Sequence, residues 1–124
     1  MEIKQILIID DESRIREIYR MIFGMIGFKV FTASNAPDAC VILSAEEIDI
    51  IILDINLGKP ARPVLFQVIR RFCKKARIII SSVTPVREQM GIFDNADGYF
   101  DKSDNNEVLV RMVCSLLDDP KVVR

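Results

Sequence analysis

Four positions in this chain combine reactive groups with a common setting. Ile50-Ile51-Ile52-Leu53 ends abruptly in Asp54, Ile6-Leu7-Ile8-Ile9 in Asp10-Asp11-Glu12, Ile78-Ile79-Ile80 in Ser81-Ser82, and the short apolar pair Tyr99-Phe100 is soon followed by Lys102. Converging carboxylates repel one another and raise their pKa values unless a cation sits between them. Oxygen ligands with no histidine and no nearby cysteine suit a hard divalent ion, and Mg2+ with retained waters fits a site of one to three carboxylates. A carboxylate can also attack phosphorus to form an acyl phosphate, which splits a phosphoryl transfer into two steps. Catalysis then lies mostly in alignment and in neutralising the equatorial oxygens, for which Lys102 offers a fixed positive charge and Ser82 a hydroxyl donor.

Each residue alone has a plainer reading. Asp10 and Asp11 suit a turn or a helix cap, Asp54 a loop, and Ser82 and Lys102 a solvent-facing or capping position. Their joint occurrence at successive strand ends favours the chemical reading.

Positioning such groups requires an architecture that brings strand ends to one rim. Four consecutive apolar residues read as a strand buried on both faces. The pattern predicts strands over residues 4–9, 28–33, 48–53, 77–81 and 99–100. Between them it predicts a helix capped by Ser13, with Ile15, Ile18, Tyr19, Ile22, Met25 and Ile26 inward, ending at Gly27. The second helix is capped by Ser34 or Asn35, carries Pro37 in its first turn, and turns Ala36, Ala39, Cys40 and Leu43 inward. Pro63 opens the third, with Val64, Leu65, Val68, Ile69 and Phe72 inward and Arg70, Arg71, Lys74 and Lys75 outward. Those four charges suit either a phosphate patch or, better, a solvated face. A short fourth helix runs from Pro85 to about Phe93 with Thr84 as cap, and a fifth, capped by Ser103, runs to about Asp118.

Strands alternating with helices demand right-handed crossovers and an open parallel α/β sheet with helices on both faces. All strand C-termini then face one rim, where such sheets bind ligands.

The totals agree with one soluble domain. The 124 residues are half hydrophobic and 28% charged, neither the composition of a disordered chain nor one with a ~20-residue membrane span. The apolar segment at Ile6 to Ile9 is too short for a signal peptide. A formal net charge of −1 gives no electrostatic case for nucleic acid or an anionic membrane. Three widely spaced cysteines, Cys40, Cys73 and Cys114, read best as packing thiols in a reducing cytoplasm, with metal or disulfide use the alternative. Histidine is absent, which removes Ser-His triads, His-based metal sites and phosphohistidine chemistry within the chain.

With an acidic pair after the first strand, Asp54 after the third, a hydroxyl after the fourth and a lysine after the fifth, the chain resembles the receiver domain of bacterial two-component response regulators. The resemblance covers essentially residues 1–124 as one domain. It implies a flavodoxin-like, doubly wound five-stranded sheet in the order 2-1-3-4-5. It further implies Asp54 as phosphoacceptor, and Mg2+ held by Asp10, Asp11, Asp54 and the backbone carbonyl of Asn56. Ser82 matches the switch hydroxyl, preferred over Ser81 because Val83 follows it, Lys102 the phosphate-contacting lysine, and Tyr99 the aromatic switch.

The expected activity is signalling rather than turnover. A histidine kinase or histidine phosphotransfer protein would supply the phosphoryl group, and a downstream effector would read the face of the fourth helix, fifth strand and fifth helix. The chain is expected to be a cytoplasmic monomer or weak dimer that binds neither nucleic acid nor membrane. Gly58-Lys59-Pro60-Ala61-Arg62-Pro63 departs from the family's usual loop, the stretch from Ser82 to Lys102 is about two residues short, and Ser103 stands where proline often follows the lysine. A cis bond before a non-proline residue costs ~2.5 to 4 kcal/mol, so Lys102-Ser103 is expected to be trans. Two alternatives are a phosphorylation-independent binding module of the same fold and a haloacid-dehalogenase-like phosphatase. For the second, Asp10-Asp11-Glu12-Ser13 is a poor match to the required Asp-x-Asp-x-Thr.

Overall fold

The computed structural model describes residues 2–55 and 63–118. Along the chain come β1 (Gln5–Ile9), α1 (Ser13–Ile26), β2 (Lys29–Ala33), α2 (Ala36–Ala45), β3 (Ile50–Asp54), α3 (Pro63–Phe72), β4 (Arg77–Ser82), α4 (Val86–Ile92), β5 (Gly98–Asp101) and α5 (Asn106–Leu117). The strands pair in parallel in the order β2-β1-β3-β4-β5, as the resemblance implied. No helix among the described residues is long and apolar enough to cross a membrane.

Side chains on a strand alternate between faces, so two apolar cores form from one sheet. Leu7, Ile9, Ile51, Leu53, Ile78 and Ile80 meet Ala39, Phe66, Ile69 and Phe93 on the α2, α3 and α4 side. Ile6, Ile8, Ile50, Ile52, Ile79 and Phe100 meet Tyr19, Phe23, Leu109 and Val113 on the α1 and α5 side. Continuous isoleucine runs are what a strand buried on both faces requires. At β5, a Cβ on Gly98 would come within 2.7 Å of Met112 Sδ and 3.3 Å of Ile79 Cγ1, so glycine there lets α5 lie close.

Several helix ends differ from expectation because competing polar groups lie close in sequence. Ser13 is the first helical residue of α1, not its cap; preceding Glu12 makes no side-chain cap, and Asp10 Oδ1 accepts the Glu12 N–H instead at 3.0 Å. Asn35, not Ser34, caps α2 by accepting the Asp38 N–H at 2.8 Å. Pro85 rather than Thr84 precedes α4. Asn105 rather than Ser103 caps α5, because Ser103 is held to Asp101 by both its N–H and its hydroxyl. Gly27 ends α1 as expected, with φ 111° and the Phe28 N–H donating to Phe23 O. All described peptide bonds are trans, Lys102-Ser103 included.

The inward faces of α1 and α3 are also rotated from the expected ones. In α1, Tyr19 and Phe23 are buried while Met25 is 82% exposed and Ile18 and Ile26 are open to solvent. Phe23 wins because its ring packs edge-on against both Tyr19 and Phe28. In α3, Phe66 and Ile69 are buried, whereas Phe72 is 78% exposed and Val64 and Val68 face solvent. Phe66 meets Phe93 edge-on at 5.8 Å, which sets the helix phase. Helices with apolar residues on several faces leave that choice to their neighbours. In α2, Cys40 is exposed rather than inward; Cys73 and Cys114 are half-buried, and all three thiols are free.

Arg70 also departs from its expected outward position. Its guanidinium lies over the Phe66 ring and donates to Asp97 Oδ2 at 3.0 Å and Asn95 O at 2.9 Å. Asp97 Oδ2 accepts the Ile78 N–H as well, at 2.8 Å. One carboxylate thus ties α3, β4 and the start of β5 together at the edge opposite Asp54. At the other end, α4 is tied down by a fully buried amide: Gln89 Nε2 donates to Thr84 O at 2.7 Å and to Phe100 O at 3.0 Å.

Removing a partner from a half-buried hydrogen bond costs ~1–3 kcal/mol, so Asp97→Ala should lower urea stability by that amount and Asp97→Asn by less; equal losses in both would deny the carboxylate its role. Gln89→Leu should accelerate amide exchange across α4 while β1 and β3 stay protected, and unchanged exchange in α4 would show that the amide does not hold it.

Candidate functional site

The two most buried acids stand where the central strands end. Asp10 follows β1 and is 2% exposed; its N–H donates to Ala33 O at 3.0 Å, which locks it to β2. Its Oδ1 is occupied by the Glu12 N–H and its carbonyl by Arg16, so this carboxylate also starts α1. Asp54 closes β3 at 5% exposure. Asp11 is exposed at the mouth.

Lys102, just beyond β5, reaches both acids. Its N–H donates to Ser82 O at 2.8 Å, and its Nζ lies 2.6 Å from Asp10 Oδ2 and 3.5 Å from Asp54 Oδ2. Burial alone would lower the ammonium's pKa, but the hydrogen bond and charge of Asp10, with the charge of Asp54, outweigh it and hold the pKa above its ordinary value. Lys102 therefore stays charged in the pocket.

Asp10, Asp11 and Asp54 each place a carboxylate oxygen within 4.8 Å of the others. Two of these acids are buried and the third stands at the mouth, so three carboxylates converge on one point at the edge of the sheet. That donor set, all hard oxygens, fits a divalent cation of the Mg2+ type.

The two serines of β4 part company. The alternation that sends Ile79 toward α1 and α5 sends Ser81 the same way, onto the face shared by Asp10, Asp54 and Lys102. Ser82 follows Ile78 and Ile80, is fully buried, and its Oγ accepts the Thr84 N–H at 3.1 Å. Through Thr84 O it is two hydrogen bonds from Gln89 and hence from β5. Tyr99 packs on the α4 side, where its hydroxyl donates to Phe93 O and accepts the Ala96 N–H at 3.2 Å, closing the C-terminal end of α4. Asn56 lies outside the described residues, as does most of the loop after Asp54.

Two residues near the site had no chemical signal in the sequence. Gln89 stands among Arg87 and Glu88, and nothing in that polar run marks it as the buried member. Tyr19 is legible as an inward residue of α1, but not as a phenol facing the acids. Burial raises its pKa, the neighbouring hydroxyl of Ser81 and the charge of Lys102 lower it, and Asp10 and Asp54 raise it further.

The comparisons agree with this geometry. Residues 6–114 match the response regulator receiver domain family. The probable transcriptional regulator ycf27 of Cyanidium caldarium is 31% identical over 113 residues, covering 90% of this chain and 45% of that protein. The aerobic respiration control protein ArcA of Escherichia coli strain K12 is 31% identical over 118 residues, covering 94% and 50%. The chain thus spans about half the length of these relatives. A CheY-like receiver domain protein of Methanospirillum hungatei JF-1 superposes with TM-score 0.86 at 24% identity, covering 94% and 95% of the two chains. The response regulator TrrA of Thermotoga maritima, solved in complex with Mg2+ and BeF, superposes with TM-score 0.79 at 29% identity, covering 92% and 99%. Acids, lysine, sheet order and these matches together make this chain a member of the response regulator receiver domain family.

Proposed function

We propose that this receiver accepts a phosphoryl group on Asp54 from the phosphohistidine of a partner histidine kinase or histidine phosphotransfer protein, with Mg2+, and switches a partner-binding face. The observation that carries the reading is the buried Lys102 ammonium between Asp10 and Asp54, beside a third acid. These 124 residues hold no histidine, so the donor lies outside them, a phosphohistidine or a small acyl phosphate.

In the transfer an Asp54 carboxylate oxygen attacks phosphorus, the P–N bond to the donor imidazole breaks, and its electron pair leaves with that ring. Hydrolysis by water later returns the carboxylate and inorganic phosphate. Lys102 is placed to neutralise a phosphoryl oxygen once Asp54 carries one, and burial strengthens that attraction over its value in water. Asp10, Asp11 and Asp54, with the carbonyl of Asn56, would hold Mg2+, which supplies charge neutralisation and a fixed orientation of the phosphoryl group. The Mg2+ and BeF complex of TrrA supports this assignment.

For the readout, Ser82 would turn the hydroxyl proton it now donates to Thr84 Oγ1 toward a phosphoryl oxygen. That movement passes to Thr84, and Gln89 joins Thr84 to α4 and β5. Tyr99, bonded to the last turn of α4, would report the same change at its other end. The outcome is a population shift between two arrangements of α4 for an effector protein to read. The protein so read is a signalling component, cytoplasmic, monomeric or weakly dimeric, rather than an enzyme with turnover.

Incubation with acetyl phosphate and Mg2+ should add one phosphoryl group to the wild-type chain by intact mass and none to Asp54→Asn. An unlabelled wild type, or label that survives the substitution, overturns the assignment. Lys102→Ala should keep Mg2+ binding but lose at least about tenfold in labelling rate, the effect of one charge-assisted contact to the transferring group.

A further inference from the structure

Behind the acids, on the α1 side of the sheet, two hydroxyls occupy a place that apolar side chains could fill. Tyr19 is 2% exposed and packs in the cluster that contains Ile8, Ile52, Ile79 and Phe100. Each of those four lies two residues before a group of the site: Asp10, Asp54, Ser81 and Lys102 respectively. Alternation within β3 and β4 therefore sends Asp54 and Ser81 to the face that receives the Tyr19 ring, and Asp10 and Lys102, just past β1 and β5, meet Asp54 through the ammonium contacts.

A buried phenol needs a partner for its hydroxyl, which a leucine of similar burial would not. Ser81 is its neighbour, yet Ser81 is 1% exposed and its Oγ forms no hydrogen bond of regular geometry among the described residues. The effect of Ser81 on the phenol is thus a close approach rather than a formed bond, and one hydroxyl of the pair retains unused capacity. The charged groups within electrostatic reach of the phenol are Lys102, Asp10 and Asp54.

The Lys102 ammonium has three donors and no acceptor. Asp10 Oδ2 at 2.6 Å is much its closest partner, with Asp54 Oδ2 at 3.5 Å. A divalent cation that draws on Asp10 competes directly for the oxygen that now holds Lys102. Deprived of it, a mostly buried ammonium needs another acceptor, and neutral hydroxyls accept without competing for the cation.

We propose that Tyr19, with Ser81, is a positioning residue for phosphoryl transfer: its hydroxyl holds the Lys102 ammonium toward Asp54 when a cation takes Asp10. This rests on the phosphoacceptor reading of Asp54. The role is specific to a phenol at position 19, because phenylalanine would fill the same space without an acceptor.

The test is a double-mutant cycle with a spectroscopic arm. Tyr19→Phe should slow acetyl phosphate labelling about tenfold at saturating Mg2+ while the Mg2+ concentration for half-saturation moves less than about twofold. Ser81→Ala should slow it in the same sense. In a Lys102→Ala background Tyr19→Phe should have no further effect, since it acts through the lysine. The chain has two tyrosines and no tryptophan, so Tyr99→Phe leaves Tyr19 as the sole phenol, and its near-ultraviolet absorbance and fluorescence should change when Mg2+ alone is added. A wild-type rate in Tyr19→Phe, an undiminished effect in the Lys102→Ala background, or a silent Tyr19 spectrum overturns the proposal. A wild type that takes no label refutes the phosphoacceptor reading instead, and the Tyr19 response to Mg2+ still decides whether the phenol follows the lysine.

Discussion

A lysine ammonium lies almost out of water between two aspartates, and much of this molecule is arranged to keep it there. An ion pair removed from solvent loses hydration worth several kcal/mol per ion, so it persists only where geometry and further hydrogen bonds are good. Asp10 meets that condition through the Glu12 N–H on one oxygen, Lys102 on the other, and a backbone tie to Ala33. The Lys102 ammonium meets it through Asp10 Oδ2 and Asp54 Oδ2, while its backbone N–H donates to Ser82 O and fixes the turn after β5 to the end of β4. The groups therefore come from three strands, and the sheet must be complete before the pocket exists.

That sheet is held by apolar burial rather than by the polar site. β1 and β3 occupy the middle of the order, and their isoleucines feed both cores at once. At ~25 cal/mol per Å2 of apolar surface removed from water, such a run can bear the cost of ending in a buried carboxylate. The two faces then take different duties. Acids, lysine, Ser81 and Tyr19 share the α1 and α5 side, while Ser82, Gln89 and Tyr99 connect to α4.

The α4 region differs in character from the central sheet. It has seven residues, no side-chain cap, and two polar anchors, the Gln89 amide near its middle and the Tyr99 hydroxyl at its end. Gln89 Oε1 is buried with no hydrogen bond among the described residues, so this anchor is not fully satisfied. An element held by a few replaceable hydrogen bonds, rather than by a deep apolar face, is one that a small change at its base can shift.

The order of strands and helices, the buried centre of the sheet and the meeting of Asp10, Asp11, Asp54 and Lys102 at one rim were legible in the sequence. Unbroken isoleucine runs can be little else than strands covered on both faces, and the polar residue ending each run marks the rim. The phases of α1 and α3 were not legible, because Ile18 and Met25, or Val64 and Phe72, are as apolar as the Phe23 and Phe66 that displaced them; aromatic contacts made across the fold decided between them. Nor were the helix caps, where Glu12, Asn35 and Asn105 had equally polar neighbours.

What the sequence by itself determined was which residue types stand at which strand ends, since burial pattern and chemistry are both local properties of the chain. Only the tertiary structure decided that Lys102 rests on Asp10 more closely than on Asp54, that Ser81 rather than Ser82 shares a face with the acids, and that Tyr19 lies behind them. Those are relations between residues far apart in sequence, set by strand register and by which side of the sheet each helix covers, and no local pattern encodes them.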